Sequence, residues 1–324
     1  MNEPVSPPLR PLGVGELLDR AVTLCVRFFL PFSLIYLAYG IPLGVVNYFA
    51  SRGVTTLIQA FADQLKAQST GGRTDPHALA TAMANGGSDP LWSLALIAMT
   101  FFISPLAGAA LIDATSAASF GRLPTFASAY RTALSRWPNL MGVNLLYVLA
   151  GLAIYVAIVV VAVLIVFAIV GITTAVHVVG IVVGVLIGIV FVLFAIAFFL
   201  VASIAWQISY FACVVERLNF VASFSSGLAR VFGGIGLKRS LLVGLVLMAV
   251  GIGIWLVTLA GQGVLIGLLR SSIAGTVFTT LVSVGTAAFL TAFMTTFYFD
   301  LRVREDGLDL QLAAHAALDR PLES

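Results

Sequence analysis

Residues 178–214 form a run of 37 residues without one charged side chain, VVGIVVGVLIGIVFVLFAIAFFLVASIAWQISYFACV. As a helix it measures roughly 55 Å, against roughly 30 Å of bilayer hydrocarbon. Such a segment has to tilt, break or protrude from a membrane. Trp206 and Tyr210 near its end have the spacing of an interfacial aromatic belt, which sets the expected boundary there.

Five further apolar runs meet the same ruler, at about 30–50, 91–112, 140–170, 241–260 and 274–299. They are continuous, unlike the alternating segments of about 10 residues that mark a membrane barrel. The chain is 60% hydrophobic and only 10% charged, with a mean hydropathy of +1.08. A soluble domain is roughly half apolar and a quarter charged. The sequence therefore predicts an all-α membrane protein with six transmembrane helices in one domain spanning 14–300. A short cytoplasmic segment, 1–13, precedes it and a cytoplasmic tail, 301–324, follows. The start, MNEPVSPPLRPLGVGELLDR, is Pro-rich and acidic and lacks the pattern of a signal peptide, so the first helix is expected to stay uncleaved.

Charge placement sets the expected orientation. With the N-terminus inside, thirteen of the seventeen Lys and Arg fall on the cytoplasmic side, among them Arg20, Arg27, Arg122, Arg217, Arg230 and Arg239. Arg52, Lys66, Arg73 and Arg270 fall outside, and the positive-inside bias puts both termini in the cytoplasm. The basic residues are scattered and form no stripe, so no nucleic acid is expected as a partner. The long exterior connection, 51–90, combines a candidate amphipathic helix with a Gly- and Asn-containing stretch and reads as a solvated loop.

The chain also repeats. Each odd-numbered span follows an amphipathic stretch, GVGELLDRAVTLCVRFF, LPTFASAYRTALSRWPN and LNFVASFSSGLARVFGGIG. In the first, Leu17, Leu18, Val22, Leu24 and Cys25 line an apolar side, while Glu16, Asp19, Arg20 and Arg27 remain wet. Each even-numbered span ends near an acid, Asp113, Glu216 or Asp300. Three hairpins are expected, each preceded by a cytoplasmic interfacial amphipathic helix, with the tail DLQLAAHAALDR as a further surface helix. Gly40 with Gly44, and Gly180 with Gly184 and Gly188, have the four-residue spacing of close helix packing in lipid.

Candidate chemistry is sparse. Between the interfaces there is no Lys, Arg or Glu, and Asp113 is the acid that reaches deepest, followed by Thr115, Ser116 and Ser119. It reads as an interfacial residue capping or pairing with Arg122 or Arg20, with a proton or ion relay as the alternative. Pro31, Pro42 and Pro105 are expected to kink spans one and two, for packing or to open a cavity. His77, His177 and His315 share no helix face, and Cys25 and Cys213 have no CxxC spacing, so neither a metal site nor a disulfide is expected. No cofactor is implied. GxSxG, GxxxxGK[ST] and HExxH are absent, which removes the commonest hydrolase, nucleotide-driven and metalloprotease readings.

The segments RPLGVGELLDRAVTLCVRFFLPF, VVERLNFVASFSSGLARVFGG and FYFDLRVREDGLDLQL resemble bacterial membrane proteins grouped with the membrane domain of glycerophosphoryl diester phosphodiesterases. The resemblance spans nearly the whole chain. In some relatives it implies fusion to a soluble phosphodiesterase barrel, which a chain ending at Ser324 is not expected to carry. Phe299, Asp300, Arg302 and Arg304 are matched motif positions, to which the resemblance assigns no role.

The expectation is thus a non-catalytic membrane accessory or scaffold that engages lipids, a protein partner or a second copy. The binding candidates are Asp113, Arg122, Glu216, Asp300, Arg302 and Arg304. The alternative is a transporter or lipid translocator with a path near Asp113.

Overall fold

A computed structural model describes residues 11–50, 89–175, 177–269 and 271–307, with isolated helical positions between 64 and 81. Most of the connection 51–90, and the segment 308–324 with His315, lie outside the described residues. The described residues hold helices and no strand. Six helical segments are long and apolar enough to cross a membrane, Phe29–Ala50, Pro90–Ser119, Phe126–Phe167, Val182–Val215, Gly236–Leu269 and Ser272–Asp306.

Helix α1 (Val14–Arg27) buries Leu17, Ala21 and, just past its end, Phe28 at helical spacing. Val22, expected on that side, is 48% exposed. Residue 22 lies 100° round the helix from Ala21, so the buried stripe leaves it out. Helix α2 (Phe29–Ala50) follows almost without a break, since Phe28 and Phe32 still donate to the carbonyls of Leu24 and Phe28. Pro31 sits in its first turn, where an N–H is not needed.

The second span is interrupted in a specific way. Helix α3 (Pro90–Ala98) starts on the Asp89 side chain, which accepts the Leu91 N–H at 2.9 Å. A π-turn (Met99–Ile103) leads into helix α4 (Ser104–Ser119). Pro105 has no N–H to return to the carbonyl of Phe101, and Ser104 bonds five residues back to Met99. One residue is thereby accommodated as a bulge in the helix. Gly121, at φ 72°, then ends the helix, with its own N–H and that of Arg122 returning to Ala118 and Ala117. This left-handed stop suits glycine.

The second repeat departs from the pattern. Its amphipathic stretch is no separate element, because helix α5 (Phe126–Ala175) runs through it and the span as 50 residues, roughly 75 Å. Pro138 removes one internal hydrogen bond, yet the surrounding Ala, Leu and Arg are strong helix formers that carry the helix past it. Helix α6 (His177–Val215) is also long and closes at Arg217, which adopts φ 59°. Helix α7 (Phe220–Phe232) begins on Asn219, whose side chain accepts from Ala222 at 2.8 Å. Helices α8 (Gly234–Leu269) and α9 (Ser272–Asp306) complete the described fold.

These elements form two compact units. The first comprises Met1–Arg20, Ser135–Gly251 and Met294–Ser324. Within it α7 lies against α6 through a face of Ser223, Gly227 and Val231. A Cβ on Gly227 would meet the Ser209 hydroxyl and come within 2.7 Å of the Ala205 carbonyl. On α5, Gly142 leaves room for Phe220, whose ring would lie 2.6 Å from a Cβ there. So this helix spends its small-residue face on protein packing. Phe211 stacks on Tyr298 at 5.1 Å in the same core. Tyr210 is 8% exposed, so of the expected aromatic belt Trp206 alone stands clear of the packing.

Farther along α5 and α6 the sides are bare. In their most apolar 18-residue windows, 0% and 6% of residues are buried, against 28% in α2. Gly184 makes a close approach, its Cβ position 2.9 Å from Ile169. Gly188 differs from expectation, for a Cβ there would meet nothing within 4 Å. The surroundings of Gly180 lie outside what is described.

The second unit comprises Ala21–Leu134 and Ile252–Phe293. Phe32, Ile35, Leu111 and Phe293 are fully buried within it. Gly40 and Gly44 face α9, where a Cβ on Gly44 would sit 2.7 Å from the Thr280 hydroxyl. Tyr130 donates from its hydroxyl to the Ile35 carbonyl at 2.8 Å.

Candidate functional site

The motif FYFDLRVRED ends α9, and helical spacing divides its charges between two faces. Tyr298, Arg302 and Asp306 repeat every four residues on one side. Asp300 and Arg304 share the other. Each face builds a separate ion-pair cluster in the first unit.

Among the described residues Asp300 is the most buried charge, its side chain 0% exposed. One oxygen accepts the Leu12 N–H at 2.7 Å, the other meets Arg239 at 2.7 Å, and Arg304 donates at 3.2 Å. Both arginines also reach the Leu12 carbonyl, Arg304 at 3.2 Å. The peptide at Leu12 is therefore held on both polar sides and tied to α8 and α9. A buried carboxylate is tolerated on such terms, with its lone pairs occupied by charged donors.

On the opposite face, Glu216 follows the end of α6 and meets Arg230 of α7 at 2.5 Å, with the Tyr298 hydroxyl donating to the same oxygen. Arg302 stands 3.6 Å from Glu216 and 3.2 Å from Asp306, which Arg230 also contacts at 3.2 Å. Burial alone would raise the Glu216 carboxyl. The hydrogen bonds from Arg230 and Tyr298, with the charges of Arg230 and Arg302, outweigh it and hold Glu216 below its ordinary 4.5. Nearby, Arg136 donates to the carbonyl of the left-handed Arg217 at 3.0 Å. Together the two clusters clasp the start of α1 and the ends of α6, α7, α8 and α9.

The structure thus brings Glu216, Asp300, Arg302 and Arg304 together in one unit, but as two sites. Asp113 and Arg122 belong to the other unit. Asp113 is half-buried on α4, beside the buried Thr115 and Ser116; Thr115 donates to the Leu111 carbonyl at 2.8 Å, and Ser116 has a buried hydroxyl without a partner. Arg122 is exposed in the turn after α4. The residues that complete the clasp and were not among the sequence candidates are Leu12, Arg230, Arg239, Tyr298 and Asp306. The four-residue spacing within α9 was a usable signal; their pairing with other helices was not. Among the described residues, no group of three or more His, Cys, Asp or Glu converges as a metal site.

A second polar feature lies in the other unit. Tyr36 and Asn47 of α2 and Thr276, Thr279, Thr280 and Ser283 of α9 line an open groove. Close by on α2, the Tyr39 hydroxyl hydrogen-bonds Ser104 and Thr100, at the π-turn. The groove contains no Asp, Glu, Lys, Arg or His.

Comparisons of the chain with family models, curated proteins and solved structures find no match.

Proposed function

We propose that this chain is a non-catalytic multi-pass protein of a bacterial cytoplasmic membrane, serving as an accessory or scaffold subunit. In this reading both termini and the clasp face the cytoplasm. The spans form three hairpins, led by amphipathic segments that α1, the start of α5, and α7 supply. Partners are membrane lipids and either another protein or a second copy.

The observation that carries it is how the clasp spends its charges. Glu216, Asp300 and Asp306 are each engaged by arginines, and Asp300 has no exposed side-chain surface. A catalytic or ion-carrying carboxylate needs a side open to substrate or water. The bare apolar flanks of α5 and α6 add support, since lipid or a partner helix is their suitable neighbour. Isolation from native membranes in mild detergent tests the reading. A partner in fixed proportion, or a defined homo-oligomer, is expected, and proteoliposomes with the chain alone should leak solutes and lipids no faster than empty ones. Unaided movement of either across the bilayer would overturn it.

A second reading, translocation past Asp113, draws on the π-turn and the unpartnered Ser116 hydroxyl in the same span. It requires Asp113→Asn to slow a measurable flux through the reconstituted protein. Flux unchanged by that substitution counts against it.

A further inference from the structure

The groove between α2 and α9 has a chemical bias that no part of the scaffold reading uses. The four hydroxyls on the α9 side all donate backwards along their own helix, Thr276 to Ser272 at 3.1 Å, Thr279 to Gly275 at 2.9 Å, Thr280 to Thr276 at 2.9 Å and Ser283 to Thr279 at 2.7 Å. A hydroxyl has one proton and two lone pairs. With the proton committed to the carbonyl four residues back, each oxygen presents only acceptor capacity to the groove. The facing helix adds the Asn47 amide and the Tyr36 phenol, each able to accept and to donate.

The wall is therefore rich in acceptors and free of formal charge. Within a membrane span, acceptors left without donors are costly, because hydrocarbon offers none. A cation would enter without a counter-charge, and an anion would meet lone pairs.

We propose that this groove binds a small uncharged solute that donates several hydrogen bonds, of the short-chain polyol class. The site uses Thr276, Thr279, Thr280 and Ser283 as acceptors, with Asn47 opposite. Gly44 keeps the two helices close enough for one ligand to reach both, because a Cβ there would press on the Thr280 hydroxyl. The inference is independent of the scaffold reading, since a bound solute need not be moved.

The test uses the full chain in nanodiscs with erythritol as the probe, followed by saturation-transfer NMR. Saturable binding is expected, weakened about tenfold or more by the double substitution Thr276→Val and Thr280→Val. Ser283→Ala should weaken it less, and serves if the double variant fails to fold. Thr258→Val removes a hydroxyl that also bonds backwards, to Ile254 at 2.7 Å, but does not line the groove, and should bind as the parent does. Absence of saturable binding, binding indifferent to the groove substitutions, or equal loss in Thr258→Val would each overturn the proposal. So would a response to sodium or potassium chloride in place of erythritol, which would mark a cation site.

Discussion

The clasp of the first unit and the groove of the second solve the same problem with different chemistry. Both bring polar atoms together among helices that are otherwise apolar. The clasp uses full charges and leaves each carboxylate engaged by arginine. The groove uses hydroxyls whose protons are already spent within α9. Charges are stable only where opposite charges close over them, so the clasp is a fastening. Neutral acceptors cost less to leave unfilled than a lone charge does, so the groove can stand open for a ligand that relieves that cost.

The contrast is sharpest at Asp300. Asp300→Ala strands Arg239 and Arg304 beside the Leu12 peptide and should lower stability by about 3–5 kcal/mol, read as thermal unfolding in detergent. Thr280→Val should change stability by less than about 1 kcal/mol, because the lost bond is local to its helix. Equal costs at the two positions would break the distinction. Next in size is Gly227→Leu, which drives a side chain into Ser209 and the Ala205 carbonyl; a loss of about 1–3 kcal/mol is expected. A neutral result there would show that α7 is not seated on α6.

Glu216 supplies a pH dependence. Its folded pKa lies below the ordinary value, so its contribution is fully present above pH 4.5 and is lost as pH falls through the lower folded value. Thermal unfolding from pH 6 to pH 3.5 should therefore show a falling midpoint, with a shallower slope in Glu216→Gln. An unchanged slope would remove Glu216 from the account. The smallest effect belongs to Gly188→Ala. Nothing lies within 4 Å of the added methyl, and helix propensity alone favours the change by up to about 1 kcal/mol.

Much of the fold was legible because length and hydropathy are properties of single segments. All six expected spans correspond to helices in the structure. Legibility failed where the outcome depended on neighbours. The stretch before the third span looked like a surface helix, yet strong helix formers carry α5 through Pro138. Tyr210 looked like an interfacial anchor because periodicity reports a face without saying what covers it. Gly44 and Gly188 are indistinguishable as spaced glycines, and only the opposing Thr280 gives the first a partner.

The candidate site divides in the same way. Asp300, Arg302 and Arg304 stood out as a motif, and their spacing contained the split into two faces. The partners Leu12, Arg230 and Arg239 lie far away in sequence, and no local pattern names them. The threonines of α9 drew no notice because a hydroxyl that bonds backwards is common in membrane helices. Their significance comes from sharing a wall with Asn47.

The account depends most on which solvent and which side of the membrane the clasp faces. In a chain with Cys25→Ser and Cys213→Ala, a single cysteine at Arg217→Cys should be modified by a membrane-impermeant maleimide in inside-out vesicles and spared in intact spheroplasts. Modification in intact spheroplasts would contradict it.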